Sequence, residues 1–449
     1  MINKKWKGIR FSLLLATTFL LVNKLSAQNV YTLQQCIDTS LKNSLQLKSD
    51  NYDLDKTKAS IGEAYSSLLP SVNASGSYQY QFKVPVQVVP ADLFGGIAGT
   101  YQVAQFSVPQ TKSASVDLSQ TIFNASSLIA LKAAKVAINL NQLQIQSSKE
   151  DLVYNVSATY YNIQTILKQI ELISKNLQNT EELLLSTSDQ YKAGLATETD
   201  VDRLNVSRDN SKADLESSRN SLEKEYNLLK LLMNIPLENN IAVLDYDLSD
   251  KAMPLESPAF DIMKKTDYLQ VLENKRVADL ERKNIKAGYL PSLTLSANYG
   301  LSGYYSNADP FKNINDKWYS SSYVKLALSI PIFDGFSKKY KIQSKSIEIK
   351  KYDVQAEQLK QQSLKNVANA NADLKSNFLT LQSKRRSLDL AQKVLDDLKL
   401  QYQNGIAKIT DVINSQSELH TAQSNYINAL INIKQAELDL KKAQGTLLN

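Results

Sequence analysis

The side chains of this 449-residue chain that could do chemistry are few. Histidine occurs once, as His420, and cysteine once, as Cys36. They give no metal-ligand spacing, no Ser-His-Asp set and no partner for a disulfide, and no glycine-rich loop is placed to cradle a phosphate. Cys36 reads as a buried structural thiol, and His420, one residue after Leu419 of an apolar repeat, as a partly exposed surface residue. No enzyme, metal or cofactor is expected. The carboxylates that stand out are Asp200 and Asp411. Asp200 closes the stretch Gln190-Tyr191-Lys192-Ala193-Gly194-Leu195-Ala196-Thr197-Glu198-Thr199-Asp200-Val201, which returns as Gln401-Tyr402-Gln403-Asn404-Gly405-Ile406-Ala407-Lys408-Ile409-Thr410-Asp411-Val412. Chemistry there is electrostatic. Gly194 and Gly405 can take the left-handed conformation that ends a helix. Thr199 with Asp200, and Thr410 with Asp411, can cap or favourably charge the first turn of the next one.

Two helix reversals half a chain apart make an internal repeat the first thing to explain. The chain opens on Lys4, Lys5, Lys7 and Arg10, an apolar run Phe11–Val22, and Leu25-Ser26-Ala27. That pattern predicts a secretory signal at residues 1–27. The run is short of the ~20 residues a membrane-spanning helix needs. Losing five basic residues (those four and Lys24) takes the formal charge from +7 to +2, since 7 − 5 = 2. A nucleic-acid partner is therefore not expected.

Leu33, Ile37, Leu41, Leu45 and Leu47 predict a helix over 30–68, stopped at Leu69-Pro70. The period then changes to two: Val72, Ala74, Gly76, Tyr78, Tyr80, Phe82 and Val84 alternate with polar residues. About 9–11 such residues cross an outer membrane at a tilt. After a loop with Pro85, Pro90 and Pro109, the residues Ala114, Val116, Leu118 and Ile122 complete a hairpin over about 71–123. A long helix follows from Asn124 to about Tyr191, roughly 100 Å at 1.5 Å per residue. Leu131, Ile138, Ile145, Leu152, Thr159, Ile166 and Ile173 sit seven apart along it, as in a coiled coil. A parallel stripe of Asn141, Ser148, Asn155, Asn162, Gln169 and Asn176 either lines water inside an assembly or faces solvent. Beyond the 190–201 turn, a second helix ends at Asn234-Ile235-Pro236. Residues 236–258, acidic and with a short strand expected in Ile241–Leu248, join two halves. Residues 259–449 then repeat the order of 28–235. A helix ends near 288 and a hairpin spans about 292–333. A long helix, the 401–412 turn and a last helix with Val412, Leu419, Tyr426, Ile433 and Leu440 in register follow.

Four amphipathic strands cannot close a barrel, and open edges are not tolerated in a bilayer. Two chains would give a barrel that side chains fill; three give the first count that leaves a lumen. Helices leaving one side of the hairpins would continue that barrel as a tube.

The chain resembles the TolC-type outer-membrane efflux proteins over essentially all of its mature length. The matching residues are Leu69-Pro70-Ser71 and Leu290-Pro291-Ser292 at the helix-to-strand junctions. Pro331-Ile332-Phe333-Asp334-Gly335 and the looser Thr121-Ile122-Phe123-Asn124 match at the strand-to-helix junctions, and the two reversals match the family's periplasmic tips. The resemblance implies a mainly α fold with a membrane β-hairpin pair: long coiled-coil helices in two structural repeats. It implies a homotrimer whose twelve-stranded outer-membrane β-barrel is continued by an α-helical periplasmic tunnel, with 236–258 in a belt around it. It further implies a passive conduit for efflux or type I secretion, set in outer-membrane lipid and working with a periplasmic adaptor and an inner-membrane pump. Carried over by position, Asp200 and Asp411 match acidic tip residues, and Tyr402 a tyrosine of the closing network. Three copies of Asp411 would form an acidic ring. Asn414 stands where some relatives carry a second acid, and Ala407 where some carry an Arg, with Lys408 beside it as a substitute. Gly194, Leu195, Gly405 and Ile406 form the turns an adaptor would meet. A structural or adhesive coiled-coil surface protein, and a periplasmic adaptor, are the competing readings. Neither needs strands of membrane length repeated twice in one order.

Overall fold

The structure is a computed structural model that describes residues 29–244, 260–306 and 317–448. The expected signal at 1–27, most of the 236–258 joint and part of the loop before Tyr319 lie outside the described residues. In chain order the elements are β1 (Asn29–Tyr31), α1 (Leu33–Asn43), α2 (Leu45–Ser66), β2 (Ser71–Tyr80), β3 (Gln87–Pro90), β4 (Tyr101–Ala104) and β5 (Gln110–Phe123). There follow α3 (Ala125–Lys192), α4 (Glu198–Met233), β6 (Ile241–Val243), α5 (Thr266–Ala287), β7 (Ser292–Tyr305), β8 (Tyr319–Ser329), α6 (Ser337–Gln403) and α7 (Ile409–Gln444). The chain is mostly helical and forms two compact units that cut across the sequence repeats. One takes the chain up to Asn51, Leu143–Leu269 and Glu357–Asn449; the other takes Tyr52–Gln142 and Gln270–Ala356.

The second unit holds a four-stranded antiparallel sheet in the order β2-β5-β7-β8. Because side chains alternate across a strand, its register sorts them onto two faces. One carries the rows Val72, Leu118, Ala297, Val324 and Ala74, Val116, Tyr299, Ser322. The other carries Asn73, Asp117, Asn298, Tyr323 and Ser75, Ser115, Gly300, Ser321. On that polar face hydroxyls pair across strands, Ser75 with Ser115 at 3.0 Å and Ser77 with Ser113 at 2.8 Å. The apolar face is bare: Val72, Val324, Leu326 and Leu328 are each 63–75% exposed. The sheet ends where capping chemistry starts a helix. The Asn124 side-chain oxygen accepts from the Ser126 and Ser127 amides at 3.0 and 3.3 Å, and Asp334 accepts from the Lys338 amide at 3.1 Å.

The alternation predicted to reach Val84 stops at Tyr80. The chain turns out there into an insertion that forms its own small ladder, β3 with β4, and the Gln81 amide reaches Pro109 at 2.7 Å as the chain returns.

In the first unit, α1, α3, α4 and the parallel pair β1–β6 enclose a core of Cys36, Val156, Tyr160, Ile163, Leu229, Met233, Ile241 and Val243. Burial there pushes the Cys36 thiol and the Tyr160 hydroxyl each up to about 12, which suits the packing role expected of the cysteine. The continuous helix expected over 30–68 is corrected twice. Its first residues are strand β1, and it breaks at Ser44, whose ψ of 122° is extended. The break has a tertiary partner: Asn234, in left-handed conformation after α4, donates its side-chain amide to the Asn43 carbonyl at 3.1 Å.

The neutral stripe of α3 has an answer that neither expected role covers. Asn141 donates to Thr57 at 2.5 Å in one unit, and Asn176 to Gln423 at 2.5 Å in the other. Asn162 hydrogen-bonds Glu225, whose carboxyl burial holds above its usual range. At these positions the stripe bonds neighbouring helices.

Candidate functional site

Both reversals lie in the first unit and are built from the same backbone. After α3, the Gly194 amide donates to Tyr191 at 2.9 Å and the Leu195 amide to Gln190 at 2.8 Å. After α6, Gly405 donates to Tyr402 at 2.9 Å and Ile406 to Gln401 at 2.8 Å. These are paired Schellman closures, and they need the positive φ of 75° at Gly194 and 73° at Gly405. Such a closure commonly buries an apolar residue just after the glycine. Here Leu195 is 81% and Ile406 76% exposed, so each turn presents an uncovered apolar tip.

The two helix starts differ. Thr197, not Thr199, is the N-cap of α4. The Asp200 carboxylate accepts from the Thr197 amide at 3.1 Å and hydroxyl at 2.7 Å, and the Asp200 amide donates back to that hydroxyl at 3.2 Å. This is a reciprocal capping box. At α7 the cap position is Lys408, whose side chain has no acceptor. Only one arm of the box remains, Asp411 accepting from the Lys408 amide at 3.1 Å. The structure does not bring Asp200 and Asp411 together; each is spent on its own turn. Asn414 is exposed one turn further along α7.

Tyr402 is the sequence-expected residue that reaches across. Its hydroxyl donates to the Gln190 side-chain oxygen at 2.7 Å and lies 3.2 Å from the Thr187 hydroxyl, both on α3. Its ring packs on the core of Leu204, Leu395, Ile409, Val412 and Leu419, where α4, α6 and α7 meet. Its repeat counterpart Tyr191 is exposed. Thr187 and Gln190 were not anticipated as site residues. Gln190 opens the repeated motif, whereas Thr187, fully buried, carries no sequence signal. Beside these helix ends a groove of about 630 Å³ has a mixed lining, with Asp202, Arg203, Gln416 and His420 around Val206, Leu395, Ile413 and Leu419. His420 is exposed, its Nε2 4.0 Å from an Asp214 oxygen. No group of three or more His, Cys, Asp or Glu positioned to hold a metal occurs among the described residues.

The family model described as outer membrane efflux protein matches residues 36–234 and 275–446, both halves of the chain. The chain belongs to the outer membrane efflux protein family. Among curated relatives, outer membrane protein TolC of Escherichia coli is 23% identical over 435 residues, 94% of this chain and 84% of that protein. The toluene efflux pump outer membrane protein TtgC of Pseudomonas putida is 24% identical, covering 92% of this chain and 82% of that protein. Among solved structures, CusC superposes with a TM-score of 0.74 at 17% identity, covering 92% of this chain and 91% of that one. The Vibrio cholerae outer membrane protein VceC gives 0.71 at 16% identity, covering 92% and 96%. The fold is that of these channels. The protein is an outer-membrane component of an efflux system, from a family of channel proteins that act in tripartite systems with an adaptor and an inner-membrane pump. No described helix is long and apolar enough to cross a membrane.

Proposed function

We propose that three copies of the chain close one twelve-stranded barrel in outer-membrane lipid and one helical conduit in the periplasm, through which solutes pass passively. The observation that carries this reading is the sheet itself. It has two unpaired edges, β2 and β8, one exposed apolar face and one hydroxyl-rich face. In hydrocarbon every backbone group needs a partner, so β8 of one copy must pair with β2 of the next. Exposed Leu364, Leu379, Leu390 and Leu400 on α6 supply apolar surface for coiled-coil packing between copies. On this reading residues 28–235 and 259–449 are two repeats joined at 236–258, and the reversals are the periplasmic tips. Tyr402, Asp200, Asp411, Asn414 and Lys408 line or lock the entrance. Gly194 with Leu195, and Gly405 with Ile406, present turns to the periplasmic adaptor, with the groove beside them. The adaptor links the channel to an inner-membrane pump or a type I secretion pump.

Electron microscopy of the detergent-purified mature protein tests the reading. Rods with threefold symmetry about their long axis and a detergent belt at one end are expected. Monomers, or particles without a belt, would overturn it.

A further inference from the structure

The polar face of the sheet carries an unusual charge inventory. Among the described residues of its four strands, the acids and bases are Asp117, Lys325 and Lys112. Lys112 shares the face of Tyr78 and Gly303, the apolar side. That leaves one acid and one base on the polar side, in neighbouring rows: Asn73, Asp117, Asn298, Tyr323 and Ser71, Ser119, Ser296, Lys325. Around them the wall is largely serine, whose hydroxyls donate and accept equally.

The acid is held in place. Asn298 donates to one Asp117 oxygen at 2.7 Å and Ser115 to the other at 2.9 Å, with Ser75 3.0 Å behind Ser115. A relay of side chains on three strands therefore fixes the carboxylate against the wall.

Strand order turns this pair into a pattern. Asp117 is on β5, Lys325 on the edge strand β8, and β7 lies between them. If β8 pairs with the next copy's β2, that copy's β5 and its Asp117 again lie two strands beyond. At about 4.8 Å per strand and about 7 Å between same-face rows, each lysine has its own aspartate roughly 12 Å away, and the next copy's lies as many strands beyond. That distance is about one Debye length in 0.1 M salt.

We propose that Asp117 and Lys325 form a charge-balanced belt of six alternating charges around the lumen, set against each other so that the hydroxyl-lined barrel favours neither cations nor anions. This rests on the trimeric barrel reading, and it makes the two residues opposed determinants of ion preference.

The test is reversal potential across a planar bilayer under a KCl gradient, with the purified full-length mature trimer. Asp117→Asn is expected to shift the cation-to-anion permeability ratio about twofold toward anions, the scale of one unit charge at this range in water. Lys325→Gln is expected to shift it about as far toward cations, and the double variant to return close to wild type. Lys112→Gln, on the opposite face, is expected to change nothing. Unshifted potentials in both single variants, or shifts of the same sign, would overturn the belt while leaving the conduit standing. A shift only with Lys112→Gln would overturn the assignment of faces. If the unmodified protein gives neither threefold particles nor conductance, the conduit reading itself fails.

Discussion

The two helix reversals share a backbone and differ in what holds them. The first is self-contained: Thr197 and Asp200 satisfy one another within a single turn. The second has only the carboxylate arm, because lysine stands where an acceptor is needed. It makes up the difference with a bond to another helix, Tyr402 to Gln190. A turn that closes on itself keeps its form whatever its neighbours do. One that leans on a neighbour through a single side chain can be released by moving that neighbour. On the conduit reading proposed above, the asymmetry points to the α6–α7 pair as the part that moves, with α3–α4 as its fixed frame.

Four experiments break or sharpen this contrast, in falling order of effect. Gly405→Val and Gly194→Val should each cost about 2 kcal/mol, since both positions need the left-handed region. Thermal unfolding that separates them widely would show that the backbones are not equivalent. Tyr402→Phe should cost about 1.5 kcal/mol by orphaning its partners. It should also raise amide exchange at the end of α6 and the open-state conductance, while Tyr191→Phe does neither; equal behaviour of the two would remove the asymmetry. Thr197→Ala should cost about 1 kcal/mol, whereas Lys408→Ala should stay within about 0.5 kcal/mol; chemical denaturation of the pair reads the difference. Lys408→Thr should stabilise by about 0.5 kcal/mol, by rebuilding the missing arm. It should lower the conductance of the Tyr402→Phe background, and no change there would mean the cap has no part in closure.

Much of this was legible in the sequence because its signals are local. Alternation at Val72–Tyr80 and Leu293–Leu301 marks strands wherever one face meets a different solvent from the other. The Gly-x-x-Thr/Lys-x-x-Asp spacing of the turns marks both glycine closures and both acidic first turns. Most of what was missed is non-local. The break at Ser44 has a local trace, since its hydroxyl caps α2 by accepting from the Leu47 amide at 3.2 Å, but its tie to Asn234 lies far along the chain. The parallel pairing of β1 with β6 has no local trace. The β3–β4 ladder contains Pro90 and only four residues per strand, too few for a period to show. Tyr191 and Tyr402 occupy identical motif positions, and only the packing of α3, α6 and α7 makes one an exposed ring and the other a tie between helices.

The two longest strands of the sheet, β5 and β7, 14 residues each, come from opposite halves of the chain and lie side by side at its centre. That pairing has a consequence for timing. If the chain is exported behind the signal expected at 1–27, the first hairpin emerges long before residues 292–305 exist outside to cover β5, and so travels with two bare edges instead of one. Contacts so distant in sequence form slowly, and unpaired strand edges are aggregation-prone while they wait. The order of the strands thus sets how long those edges stay open: β5 waits for the whole of α3, α4 and α5 before its partner exists.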